Sequence, residues 1–174
     1  MIMYSSARRG FTLIELLVVI SIIALLSSIV MATINTARVR ARDAKRQRDM
    51  HEIFTALQFY YDRYGCLPTP GSSACNGTTA ASEAGGWDYS SQGGGFLPWL
   101  ETAGLMSKVS VDPTNNMTGD ATPSGTFAYR YYCYPSGGSY SGLHLGYWSE
   151  RTGSYVMKSI PNSGNWADSS FTCK

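Results

Sequence analysis

Between Phe11 and Tyr64 the chain has neither glycine nor proline. Nothing in that stretch breaks a helix, and one unbroken helix would run ~80 Å at about 1.5 Å per residue. From Phe11 to Ile34 there is also no Lys, Arg or His. That segment is apolar apart from Thr12, Glu15, Ser21, Ser27, Ser28 and Thr33, and its ~36 Å of helix suffices to cross a bilayer. Histidine is scarce, with only His51 and His144, and the four cysteines show no C-x-x-C spacing. With no hydrolase or phosphate-loop motif either, the usual zinc, redox and nucleophile–base constellations are missing, and no enzyme is expected. His51 falls on a helical pattern and His144 on a strand pattern, and both read as packing or surface residues. Charge is low at 15%, with a formal net charge of +2. Nothing in that balance demands a nucleic-acid partner.

What the apolar segment does contain is one acid, Glu15. A carboxylate at membrane depth costs on the order of 2.5 to 3.5 kcal/mol on insertion scales, so it implies a partner or a function. A cut between Gly10 and Phe11 would create a cation, because the new α-amino group lies near the same depth on the same helix or on a neighbouring chain. The acid makes sense if residues 1–10 are removed.

Gly10, Phe11, Thr12, Leu13, Ile14 and Glu15, preceded by Arg8 and Arg9 and followed by the apolar run, resemble the processing motif of type IV pilins and of the pseudopilins of type II secretion. The resemblance implies that a prepilin peptidase cuts after Gly10 and methylates the new N-terminal Phe11. It also implies that Glu15 pairs with the N-terminus of an adjacent subunit during assembly. An ordinary secretory signal fits less well, since the apolar run is longer than a typical h-region and no convincing A-x-A site follows it. Ala24 and Ala32 stand where many pilins carry helix-weakening Gly and Pro.

The rest of the chain, roughly 110 residues beyond the long helix, can bury one modest core. Low charge, 13% aromatics and 18 glycines suit a folded, loop-rich head rather than a disordered tail. Without Arg8 and Arg9 the chain has 12 basic and 12 acidic side chains. Cys66, Cys75, Cys133 and Cys173 all follow the apolar segment, and an even set on that side reads as two disulfides with three connectivities open. The pairing favoured joins Cys66 to Cys75 across a short loop and Cys133 to Cys173, tying the C-terminus to a strand. The second pair resembles the pilin loop bounded by a C-terminal cystine. One feature points the other way. Arg38, Arg40, Arg42, Lys45, Arg46 and Arg48, offset by Asp43 and Asp49, make this flank more basic than the leader, which by the positive-inside tendency alone would hold the head in the cytoplasm. The processing motif and the cysteines both require the opposite side.

The second half of the helix is amphipathic, with Met50, Ile53, Phe54, Leu57, Tyr61 and Tyr64 at three- and four-residue steps, and Gly65 and Pro68 end it. Residues 69–95 read as loop, followed by a short helix from Leu97 or Pro98 to Met106. Strands are expected over Thr126–Tyr134, Leu143–Glu150 and Ser154–Ile160, with Phe127, Tyr129, Tyr131 and Cys133 on one face and Leu143, Leu145 and Tyr147 on one face of the next. Glycine-containing connectors favour an antiparallel meander. The expectation is an α+β pilin-like roll, a long N-terminal helix on a sheet of about three strands. Its parts are a leader (1–10), a transmembrane and assembly half-helix (11–35), an amphipathic half-helix (36–65) and a globular head (66–174).

Several surface features have two readings. Asp112, Asn115, Asn116 and Asp120 concentrate oxygen donors and read first as a polar turn, second as a calcium loop like that of some secretion pseudopilins, although EF-hand spacing is lacking. "SKVSVDPTNN", with Asp112 and Pro113, resembles the segment that precedes the sheet in those proteins. Asn76 and Asn116 begin N-x-[ST] sequons. The collar from Arg38 to Arg48 reads as solvated or intersubunit, with DNA or anionic lipid as the alternative, and Trp87, Tyr89 and Trp99 read as core cover rather than an adhesive surface. The function expected is that of a structural subunit of an extracytoplasmic pilus-like filament, with secretion pseudopilin, adhesin and DNA-uptake pilin as alternatives. Its partners would be prepilin peptidase, other pilin subunits, an inner-membrane assembly platform and, before assembly, membrane lipid, with DNA or a host surface less favoured. It would start as a single-pass precursor in the cytoplasmic membrane, head outside, and end in a pilus or a periplasmic or cell-surface filament.

Overall fold

The structure is a computed structural model, described here for residues 10–72, 75–78, 80, 87–91, 95–116, 127–135, 142–157 and 171–174. Its longest element, α1, runs Leu13–Tyr64 over 52 residues, as the lack of Gly and Pro requires. It stops at Gly65, whose φ of 68° lets the chain turn left-handed while its N–H bonds the carbonyl of Tyr61 at 2.7 Å. The chain divides into two compact units between Val39 and Arg40.

In the first unit the helix carries its apolar side chains outward all round, with residues such as Leu16, Ile20, Ile23 and Ile29 more than half exposed. It is long and apolar enough to cross a membrane.

The second unit is built on a four-stranded antiparallel meander, β1 (Asp88–Tyr89), β2 (Arg130–Tyr134), β3 (Gly142–Ser149) and β4 (Ser154–Met157), paired in chain order. Alternation sends Tyr131 and Cys133 of β2 and Leu143, Leu145 and Tyr147 of β3 inward. There they share one core with Met50, Ile53, Leu57 and Tyr60 of α1. A five-residue helix, α2 (Pro98–Thr102), adds Trp99 and Leu100 to that core.

The opposite face of the sheet is aromatic: Trp87 meets Tyr132 at 5.4 Å, and the Arg130 guanidinium lies 3.4 Å over the Tyr155 ring. Gly146, between Arg130 and Met157 in the register, has no room for a side chain, since a Cβ would come within 2.5 Å of Met157 Sδ and 2.6 Å of the Val156 carbonyl.

The differences from expectation are local. Tyr60, not Tyr61, completes the buried stripe, because steps of three and four from Met50 and Leu57 centre the face on it. Tyr61 sits at the edge, half-buried against Phe171, with ring centroids 5.1 Å apart. Asp88–Tyr89 forms a fourth strand where only loop was expected. β2 starts at Arg130, since residues 127–129 of the expected strand bond to loops, and residue 126 lies outside the described residues. Phe127 and Asn116 exchange two bonds, and Ser90 bridges to Tyr129. β4 ends at Met157, and residues 158–160 of the expected strand lie outside the described residues. α2 ends at Thr102 instead of Met106, where Gly104 turns at φ 69° and bonds back to Glu101.

Candidate processing and assembly segment

Gly10 and Phe11 precede α1 and are exposed, and nothing crowds the glycine. The first turn of the helix is closed by Thr12 and Glu15. Glu15 Oε2 accepts the Thr12 backbone N–H at 2.9 Å and its hydroxyl at 2.8 Å, while Thr12 Oγ1 accepts the Glu15 N–H at 3.3 Å. This is a reciprocal capping box, with Thr12 as the cap and Glu15 three residues on. Before any cut the acid therefore has local donors, and among the described residues no ion pair. The Thr-x-x-Glu spacing could have shown this in the sequence. Glu15 thus sits at the helix N-terminus, where the aligned peptide dipoles favour a negative charge, one turn from where a Phe11 amine would be.

The basic collar is not simply solvated. Arg46 is fully buried and holds Asp112 through Nε at 2.7 Å and Nη2 at 3.0 Å, Asp43 at 2.8 Å and Glu150 at 2.7 Å. Its guanidinium also lies 4.9 Å over the Phe127 ring. Arg42 forks onto both oxygens of Glu150, and Lys45 pairs with Asp49, which also accepts the Tyr129 hydroxyl at 2.6 Å. Asp43 takes the Ser149 hydroxyl and the N–H groups of Glu150 and Arg151, fastening the β3–β4 turn to the helix.

Burial pushes the Asp43 carboxyl up, but the Ser149, Arg151, Arg46 and Glu150 donors outweigh it and hold the group below the usual range. The Arg42 fork does the same for Glu150. Arg46 is held above the usual arginine range: burial opposes its charge, and Asp112 and Glu150 more than restore it. The signal missed was the helical period itself. Asp43, Arg46 and Asp49 continue the Met50–Ile53–Leu57 stripe backwards.

That network occupies part of the supposed calcium loop. Both oxygens of Asp112 accept from Arg46, and Oδ1 also takes the N–H of Thr114. Asn115 is tied to Ser90 and Asn116 to Phe127, and Asp120 lies outside the described residues. A cation at Asp112 would have to compete with Arg46 for the carboxylate. Among the described residues no group of three acids, cysteines or histidines is placed to hold a metal. His144 is buried between the rings of Trp87 and Tyr134, and His51 is exposed on α1. Trp99 and Tyr89 are buried, leaving only Trp87 of that aromatic trio part-exposed.

The cysteines are bonded as two pairs, Cys66–Cys75 and Cys133–Cys173, with Cα separations of 5.8 and 5.3 Å. The second secures the chain end, where Leu67 and Cys173 form a bridge, the Lys174 N–H donates to the Leu67 carbonyl at 3.1 Å and the Leu67 N–H to the Thr172 carbonyl at 2.9 Å.

The family model for the prokaryotic N-terminal methylation motif matches residues 5–31, a span that contains Gly10, Phe11, Glu15 and the start of the outward-facing apolar helix. The chain carries the type IV pilin and pseudopilin signature. No curated protein and no solved structure matches it. For a pilin-like or pseudopilin subunit, the motif implies processing by prepilin peptidase and assembly with other pilin subunits. The capped helix start and the exposed apolar surface belong to α1, as do Arg42, Asp43, Lys45, Arg46 and Asp49 of the ionic network.

Proposed function

We propose that this chain is a structural subunit of an extracytoplasmic type IV pilus-like filament. It is inserted as a precursor with its head outside, cut between Gly10 and Phe11, and polymerised through the apolar half of α1. The methylation motif over residues 5–31 carries this reading. An apolar helix with every flank exposed supports it, because that surface needs lipid before assembly and neighbouring helices after it. Two disulfides suit a head outside the cytoplasm. The basic flank has a reason besides orientation: Arg42 and Arg46 are used by the head's acids Glu150 and Asp112, and Lys45 by Asp49 on the same helix.

In assembly, the methylated Phe11 amine of one subunit meets Glu15 of another, so a buried acid gains a cation that insertion alone does not offer. Two variants separate this charge pair from the cap. Glu15→Gln keeps the capping box, which accepts Gln as well as Glu, whereas Glu15→Ala removes both. Each variant should insert and form its disulfides, yet leave no subunits in the sheared-filament fraction. Tagged variant co-expressed with wild type should enter filaments, since its amine can still meet a wild-type acid. Normal filaments from Glu15→Gln alone would show that Glu15 serves only the helix cap.

A further inference from the structure

On the side of residues 40–64 of α1 turned away from the core stands one large exposed apolar side chain among the described residues, Phe59, 59% exposed. It forms a ridge between two grooves of about 400 and 410 Å³, one reaching Tyr61 and Phe171, the other Leu105 and Met106. The same helix face is polar lengthwise. Arg40 and Arg48 are exposed on its earlier part, Glu52 and Asp62 on its later part, and none of the four makes an ion pair among the described residues. Beside the arginines, Ala44 is exposed and leaves the backbone low.

We propose that this face is a contact between the heads of staggered copies of this chain, with Phe59 of one copy seated at Ala44 and Arg48 of another. The inference rests on the filament reading above. Copies anchored in one membrane meet in parallel, so two at the same level would set Arg48 beside Arg48 and Asp62 beside Asp62, which repel. A stagger removes the conflict. Asp62 follows Arg48 by 14 residues and Glu52 follows Arg40 by 12, so an offset of ~18–21 Å along the helix answers both pairs at once. The same offset brings Phe59 level with residues 45–47, where Ala44 leaves room for a ring and the Arg48 guanidinium can lie on its face. One displacement thus matches two charge pairs and the only exposed aromatic ring of the described helix face.

Cysteine cross-linking in assembled filaments tests it, because all four native cysteines are bonded. Ala44→Cys and Gln58→Cys, which become level at the proposed offset, are co-expressed on separate chains. Mixed filaments should yield a 44–58 adduct under mild oxidation, and filaments of either variant alone should not. Arg48→Asp or Asp62→Arg, carried by both cysteine chains, should each lower the adduct at least about threefold, and the two reversals combined in both chains should restore it. Wild-type filaments with no 44–58 adduct in the mixture, adducts between identical positions, or a double reversal as low as the single ones would overturn the contact. Wild-type chains missing from the filament fraction would overturn the filament reading instead.

Discussion

Arg46 and Asp112, 66 residues apart in the chain, face each other through two hydrogen bonds of 2.7 and 3.0 Å with both side chains out of water. The pair ties α1 to the loop before β2. Removing one partner strands a buried charge, which typically costs about 3–5 kcal/mol, whereas replacing both by apolar groups costs far less. Arg46→Met, which strands Asp112 and also takes the cation from Asp43 and Glu150, should lower the unfolding free energy by roughly that amount in urea denaturation, and Asp112→Leu, which leaves Arg46 those two acids, should cost less.

The same cluster sets the acid limit of the head. Asp43 and Glu150 have carboxyls held below their ordinary values, so the unfolded chain binds protons more readily than the folded one. Their stabilisation is complete above about pH 4.5 and lost as pH falls through the lowered folded values. Urea midpoints should therefore be flat from about pH 5 to 7 and drop below about pH 4. Asp43→Asn should flatten that drop while lowering stability at neutral pH.

Tyr129 gives a counterpart at high pH. Burial first, then its bond to the Asp49 carboxylate, pushes its hydroxyl well above the usual tyrosine range, and burial does the same for Tyr131. Groups raised in the fold stabilise it below about pH 10, and that stability is lost as pH rises beyond it. Ultraviolet titration should show these tyrosines ionising only with unfolding. Tyr129→Phe should cost about 1.5–3 kcal/mol, the range for a hydrogen bond to a charged group.

Much of this architecture is legible in the residues, and the exceptions have physical reasons. The length of α1 follows from its lack of Gly and Pro, and the inward face of β2 from alternation through Tyr131 and Cys133. Asp88–Tyr89 was invisible because two residues carry no period, and the pairing that makes them a strand comes from Arg130 and Tyr131. The ionic network hid for another reason: charged side chains at helical spacing read as a wet face unless the acids that meet them are known. Asp112 and Glu150 come from distant segments. Thr12 and Glu15 were readable as a cap from the Thr-x-x-Glu spacing alone, since that contact is local to one turn.

The two disulfides should contribute unequally. By loop-closure entropy, Cys66–Cys75, with a sequence separation of 9, is worth about 2.5 kcal/mol, and Cys133–Cys173, with a separation of 40, about 4 kcal/mol. Paired serine substitutions should lower stability in that order. Loss of the longer link should also release the C-terminal bridge at Leu67, seen as faster amide exchange at Leu67 and Lys174.

On the proposed function, residues 1–10 are removed and the new terminus is used in a polymer. Intact-mass and peptide analysis of subunits from sheared filaments of a cell with a prepilin peptidase tests it directly. The expected result is a chain beginning at Phe11 with a methylated α-amino group. A mature chain that still starts at Met1, or one that begins beyond residue 30, would contradict it.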